Sequence, residues 1–419
     1  MARLERINFQ PWRHTLDGGE VVPEPDNLAR AFDSLPQIFW KEGSGWDEVN
    51  QWALSKLVDF NIKVKTVDSL MKHMHAYAVF LESRGLDWRH FPIKASERAL
   101  VRFRGHLMNQ IKDGSLASST ARSRMNAVVQ FYRHAQEHEF IQPAGPLWRD
   151  RQVVIPYYDA AGFKRALVRA STDLSISSQV APGVRLEDGL LPLNEEHMTQ
   201  LLQYTARHQS TELHLMLSVG FFTGARLETI TTLRIENLEE SLPHPLLKGF
   251  WELRVGPGTG VATKFDVQGA LLVPDFILFA IKDYAFSTVR LKRETRASEK
   301  DRSLVFLTVR GGQYTNAVSS LMTVLRRDCV GAGLMFMSRF KFHETRATYG
   351  TWLMKLALGV MKTGEAIELV KSAMLHKHEA ATFRYVKFLE DCKGKQEISA
   401  EFNRVFTGLV ERNWDDFHE

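Results

Sequence analysis

Only two cysteines, Cys329 and Cys392, occur in 419 residues. That count excludes a disulfide framework and a cysteine-built zinc site. No apolar run approaches the roughly 20 residues that a membrane span requires. The opening stretch MARLERINFQPW also lacks the apolar centre of a signal peptide. A cytoplasmic chain with no membrane partner is therefore expected. Acidic residues form no repeated Asp-x-Asp, and no Cys-x-x-Cys occurs. The glycines at 256–260 (GPGTG) lack the lysine-plus-hydroxyl ending of a nucleotide-phosphate loop and read as a hairpin loop. Neither a metal nor an ATP requirement is expected, and the expected cofactor set is empty.

What is present is ordinary in bulk. Hydrophobic residues make up 44% and charged residues 25%, the balance of a globular protein. The length calls for two or three domains. The net charge of +5 is compatible with nucleic acid without being diagnostic of it.

Along the chain, residues 1–60 read as turns and extended segments with no clear period, an N-terminal extension without an assigned role. From about Thr66 the pattern becomes helical. Val67, Leu70, Met71, Met74, Tyr77, Ala78 and Leu81 recur at i, i+3, i+4 spacing, and Gly85 marks the stop. ASERALVRFRGHLMNQIKDG and SLASSTARSRMNAVVQFYRHAQEHEF repeat the logic, giving a compact helical domain over 61–147. Its third helix opens on hydroxyl residues and carries Arg122, Arg124 and Arg133, side chains suited to phosphate near a helix N-terminus. Taken alone, such a bundle is either structural or DNA-gripping. Residues 148–190, polar and Gly/Pro-punctuated in their second half, read as linker. A second domain begins near residue 191, with Asn194 as the N-cap of its first helix. It is mostly helical, with a short hairpin formed by GFWELRV and GALLVP around Lys264. The charge-dense run 290–302 reads as a solvated helix or loop.

Six residues could carry chemistry. Arg226 follows Thr-Gly among apolar neighbours, where an arginine needs an anion, either a phosphate or a carboxylate such as Glu228. Lys264 stands alone between Lys248 and Lys282 in a turn, either as a solvated lysine or as a mobile general acid. His343 and Arg346, three apart, share one face of a helix. His376 and Tyr385 lie nine residues apart in LHKHEAATFRY. Tyr385 is either a core aromatic or a nucleophile, and Tyr349 is a rival set in a denser apolar context. Two arginines, two histidines and a tyrosine suffice for a metal-free attack on a phosphodiester. The arginine forks clamp oxygens, the imidazoles move protons, and a phenol attacks.

In their order and spacing these residues resemble the tyrosine recombinases, the phage-integrase family. The resemblance covers roughly residues 66–390: an arginine after Thr-Gly, a hairpin lysine, His-x-x-Arg, a second histidine, and a tyrosine nine residues later. Departures are Leu375 where the family commonly has glycine, Ala347 where it has histidine, and Thr229 where it has glutamate. The resemblance implies a mainly α fold with a small β-sheet (α+β). An N-terminal helical core-binding, SAM-like domain would precede a catalytic domain over 191–392 and a C-terminal docking helix over 393–419. It implies a site-specific DNA recombinase, an integrase of a mobile element, acting in bacterial or phage cytoplasm at the nucleoid. Tyr385 would attack to form a 3′-phosphotyrosine. Arg226 and Arg346 would neutralise the non-bridging oxygens. His343 would take the tyrosine proton, His376 would hydrogen-bond the phosphate, and Lys264 would protonate the leaving 5′ oxygen. Double-stranded DNA and a homo-oligomer on DNA, a tetramer in the synapse, are the implied partners, with partner recombinases as a further option. The alternatives are a DNA-binding factor of the same fold without activity, and a related type IB topoisomerase or telomere resolvase.

Overall fold

A computed structural model describes residues 1–18, 20–158, 164–177, 186, 189–315 and 317–393. The chain divides into two units by packing, residues 1–156 with 166–181 and residues 157–165 with 182–419. Among the described residues no helix is long and apolar enough to cross a membrane.

The first unit is not a purely helical bundle. Strand β1 (Arg3–Phe9) pairs antiparallel with β4 (Phe32–Phe39), and β2 (Trp12–Asp17) pairs with β3 (Glu20–Pro25). Helices α1 (Asp47–Val58), α2 (Val64–Arg84), α3 (Ala99–Lys112) and α4 (Ser118–Glu137) follow. The expected helical stripe is buried from Val67 to Leu81, with Leu70 half-buried, and Gly85 closes α2 in the left-handed conformation at φ 59°. The packing draws no boundary at residue 60. Phe32, Leu35 and Ile38 of β4 share one core with Trp52, Tyr77 and Phe131. Asn50 of α1 joins this strand by both its amide groups: its Oδ1 accepts from Ile38 N at 2.7 Å and its Nδ2 donates to Ile38 O at 3.0 Å. The stretch expected to be linker contains a hairpin, β5 (Asp150–Tyr158) with β6 (Lys164–Thr172).

In the second unit, Asn194 caps α5 (Glu195–His208) by accepting from His197 N at 2.8 Å. Helices α6 (Thr211–Thr223), α7 (Leu227–Thr231) and α8 (Ile235–Glu239) lead into a three-stranded sheet, β7 (Leu242–Pro243), β8 (Phe250–Val255) and β9 (Gly269–Pro274). The β8–β9 pair is the expected hairpin, with Lys264 in its connection. Helices α9 (Asp275–Ala285), α10 (Thr288–Glu294), α11 (Ala317–Gly331), α12 (Glu344–Val360) and α13 (Thr363–Ala373) complete the unit, with a last helix, α14, over residues 379–393. The expected docking helix lies outside the described residues, apart from residue 393.

The run 290–302 is not a uniformly solvated face. Arg290 is wholly buried, ion-paired with Glu294 and donating to the carbonyls of Arg302 and Leu304. Arg293 pairs with buried Glu212 at 2.9 Å and donates to Leu307 O. The two arginines satisfy the carbonyls of Arg302, Leu304 and Leu307, in and beside the buried segment 304–307, which has only isolated strand bridges.

Candidate active site

Close helix contact builds the site. On α6, Gly220 and Gly224 stand four residues apart, on one face. A Cβ on Gly220 would come within 2.5 Å of Thr345 Oγ1, and one on Gly224 would overlap the Tyr349 ring. These glycines let α12 lie directly against α6. Gly224 also caps α6 at φ 65°, so the chain turns there and Arg226 becomes the N-cap of α7. On the far side of α12, a Cβ on Gly350 would sit 2.5 Å from Met374 Sδ and 2.7 Å from Tyr385 Cε1. That close fit seats α14 and the end of α13.

Arg346, in the first turn of α12 and 2% exposed, crosses this packing. Its Nη1 donates to Gly224 O and its Nη2 to Met374 O, each at 2.6 Å. One guanidinium therefore ties the end of α6 to the end of α13. His343 is the N-cap residue of α12 and half-buried.

His376 is buried, with Nδ1 hydrogen-bonded to Thr382 Oγ1 at 2.8 Å. Burial, then Arg346, Arg226, Arg384 and His343 in that order, hold its pKa down to about 2. The imidazole is neutral and sits in the joint field of three arginines. Its ring lies 6.1 Å from the Tyr385 ring with 24° between planes. Tyr385 is 2% exposed, set among Met374, Val386 and Ala347. Tyr349 is packed against Gly224, and burial, opposed by Arg346, pushes its hydroxyl up to about 12.

Just before His376, Leu375 adopts φ 51°, the left-handed region. This is the position where the family pattern has glycine. The side chain there packs onto Gly269 of β9, where a Cβ would meet Leu375 Cδ2 at 2.5 Å.

Above these groups opens a cleft of about 190 Å³, lined by Arg226, Lys264, Phe265, Leu375, His376, Lys377, His378, Ala381 and Arg384. Four of the nine are permanent cations and none is a carboxylate. Lys264 is exposed at the mouth. The structure brings Arg226, Lys264, His343, Arg346, His376 and Tyr385 into one region of the second unit: Arg226, Lys264 and His376 line the cleft, and His343, Arg346 and Tyr385 lie outside its lining. Sequence reasoning passed over Phe265, Lys377 and Arg384 as lining residues; the available signal was the basic flanks of the His376–Tyr385 segment. Among the described residues no group of three or more His, Cys, Asp or Glu is placed to hold a metal. The rings of His134 and His138, at the end of α4, lie 4.0 Å apart with 44° between planes and are only a pair.

The helices, the three-stranded sheet and this arrangement together give the chain the tyrosine recombinase fold. The Tn1549 transposon integrase, solved in complex with transposon right end DNA, is similar at a TM-score of 0.50 and 13% identity, over 80% of this chain and 94% of that one. A lambda integrase dimer on a core site is similar at 0.47 and 14% identity, over 81% and 94%, and the XerA recombinase at 0.34 and 14%, over 84% and 98%. No protein-family model and no curated protein matches the chain.

Proposed function

We propose that the chain is a DNA-cleaving and -rejoining enzyme of the tyrosine recombinase kind, a site-specific recombinase serving as the integrase of a mobile element. The observation that carries the reading is the cationic cleft free of carboxylates, with neutral His376 in the field of Arg346, Arg226 and Arg384. Such a site suits an anion that gains charge as it reacts, and preorganised donors of this type supply the largest share of many rate enhancements. Arg226 and Arg346 neutralise the non-bridging oxygens of the scissile phosphate. Neutral His376 donates a hydrogen bond to it from Nε2, in the tautomer whose Nδ1 accepts from the Thr382 hydroxyl. Lys264 protonates the leaving 5′ oxygen, and His343 takes the proton of Tyr385, whose oxygen forms the 3′-phosphotyrosine. The bond energy kept in that ester lets a 5′-hydroxyl reverse the step. Because Tyr385 is 2% exposed, attack requires α14 to shift on DNA binding.

In the first unit, Arg122 and Arg133 line a groove of about 560 Å³ with Asn126, Gln130, Thr172 and Ser175. Arg124 stands half-buried on another face of α4, toward His73 and His106. These arginines contact duplex phosphates in this reading, although Arg133 also pairs with exposed Asp150. On DNA the enzyme works as a homo-oligomer, a tetramer in the synapse.

The test is covalent trapping. Metal-free protein is mixed with nicked suicide duplexes drawn from the DNA flanking its coding sequence, and an SDS-stable adduct is sought. An adduct absent in Tyr385→Phe is the expected result. An adduct that survives in Tyr385→Phe moves the nucleophile to Tyr349. Binding without an adduct favours a DNA-binding protein of this fold without activity.

A further inference from the structure

The cleft holds more cations than one phosphodiester needs. A single phosphodiester carries one negative charge, and the reading above already gives it Arg226, Arg346 and Lys264. Lys377 and Arg384 line the same cleft with no role assigned. The ring of Phe265 lies at its mouth, 62% exposed. Lys264 Nζ stands 5.2 Å from the ring centroid and Lys377 Nζ 5.8 Å, both within cation–π range. The two lysines come from separate segments, the β8–β9 connection and the loop after α13.

The backbone beneath the ring is strained. Phe265 has φ 64° and the following Asp266 has φ 52°, two successive left-handed residues without glycine. Neither strand pairing nor core packing accounts for an exposed aromatic in that conformation. What the conformation achieves is to set one ring beside two lysines. Held on the ring, their ammonium groups lose less freedom when an anion arrives than free surface lysines would.

We propose that Phe265 and Lys377 complete a second phosphate subsite beside the first. Lys377 contacts the phosphodiester next to the scissile one, and Phe265 is a positioning residue that fixes the spacing of Lys264 and Lys377. This rests on the DNA-cleaving reading, and its test is separable from that reading because it measures binding alone.

The full chain is titrated by fluorescence anisotropy onto a random duplex of about 30 base pairs over a series of salt concentrations, where each phosphate contact contributes about 0.9 to the log–log slope. Lys377→Gln is expected to make the slope shallower by about 0.9. Phe265→Leu is expected to weaken binding about five-fold at low salt, while Phe265→Tyr, which keeps the ring face, stays within about two-fold of the unaltered protein. An unchanged slope in Lys377→Gln overturns the subsite. Equal losses in Phe265→Leu and Phe265→Tyr overturn the positioning role. Slope changes as expected in a protein that forms no Tyr385 adduct sustain the subsite while the cleavage reading falls. Absence of any DNA binding overturns both.

Discussion

Leu375 offers a test in which two small residues should reverse their usual order. Its φ of 51° places a branched side chain in the left-handed region, which costs a non-glycine residue about 1–2 kcal/mol. What holds it there is contact: the half-buried side chain packs onto Gly269. Half of a leucine's burial is worth about 1–1.5 kcal/mol. Leu375→Ala loses that contact and keeps the strain, so it destabilises by about 1–1.5 kcal/mol. Leu375→Gly loses the same contact but relieves about 1–2 kcal/mol of strain. Glycine's greater freedom when unfolded takes back about 0.5–1 kcal/mol. The glycine variant should therefore equal or exceed the alanine variant in stability, the reverse of their order inside a helix. Thermal melts read the difference at about 2–4 °C per kcal/mol for a unit of this size. Alanine should lower the midpoint by about 2–6 °C, with glycine at or above alanine. A glycine variant that melts below the alanine variant would refute the strain argument.

Other outcomes follow from the same geometry. Arg346→Lys cannot reach both Gly224 O and Met374 O, and should cost about 2–4 kcal/mol by urea unfolding; a loss under about 1 kcal/mol would mean the two bonds contribute little. Gly224→Ala places a Cβ into the Tyr349 ring at φ 65°, for an expected loss of about 2–5 kcal/mol, and a near-neutral result would contradict the close α6–α12 contact. His376, held neutral in the fold by burial and then by the arginines, takes up a proton in the unfolded chain below about pH 6.5. The folded state does not, so stability is unaffected above that pH and falls below it by up to about 1.4 kcal/mol per pH unit. His134, lowered to about 4 by burial and His138, acts in the same direction. His376→Asn should therefore flatten the decline between about pH 6.5 and 4.5 without abolishing it, and identical slopes would rule out a neutral buried His376.

The helices over 64–137 were legible because their apolar residues follow the helical period, and Gly85 and Gly114 mark the ends of α2 and α3. The strands before them were not. Along β4 the buried residues are Phe32, Leu35, Pro36 and Ile38, an irregular pattern, since Ser34 at φ 68° and the register shift opposite break the alternation that identifies a strand. In β2 and β3, Trp12, Leu16 and Val21 face solvent, so burial leaves no pattern there. The run 290–302 misled for a different reason: charge density does not reveal which arginines satisfy buried carbonyls, as Arg290 and Arg293 do. For the site, helical spacing put His343 and Arg346 together at the start of α12, and a short separation in sequence put His376, in the loop before α14, near Tyr385. The pairing of Phe265 with Lys377 was invisible, because it joins loops that are far apart in sequence and lie in no periodic element.

The double tie of Arg346 to the ends of α6 and α13 governs when the proposed cleavage could take place. Those two carbonyls are separated by 150 positions in the chain, Gly224 and Met374, and reach one guanidinium only when both helices have docked. In the proposed chemistry the same guanidinium steadies the phosphate. A partly assembled chain, or one with either helix detached, would leave that group unaimed and the strand intact. The clamp works as a coincidence gate: in the proposed chemistry the site is armed only by the completion of the fold.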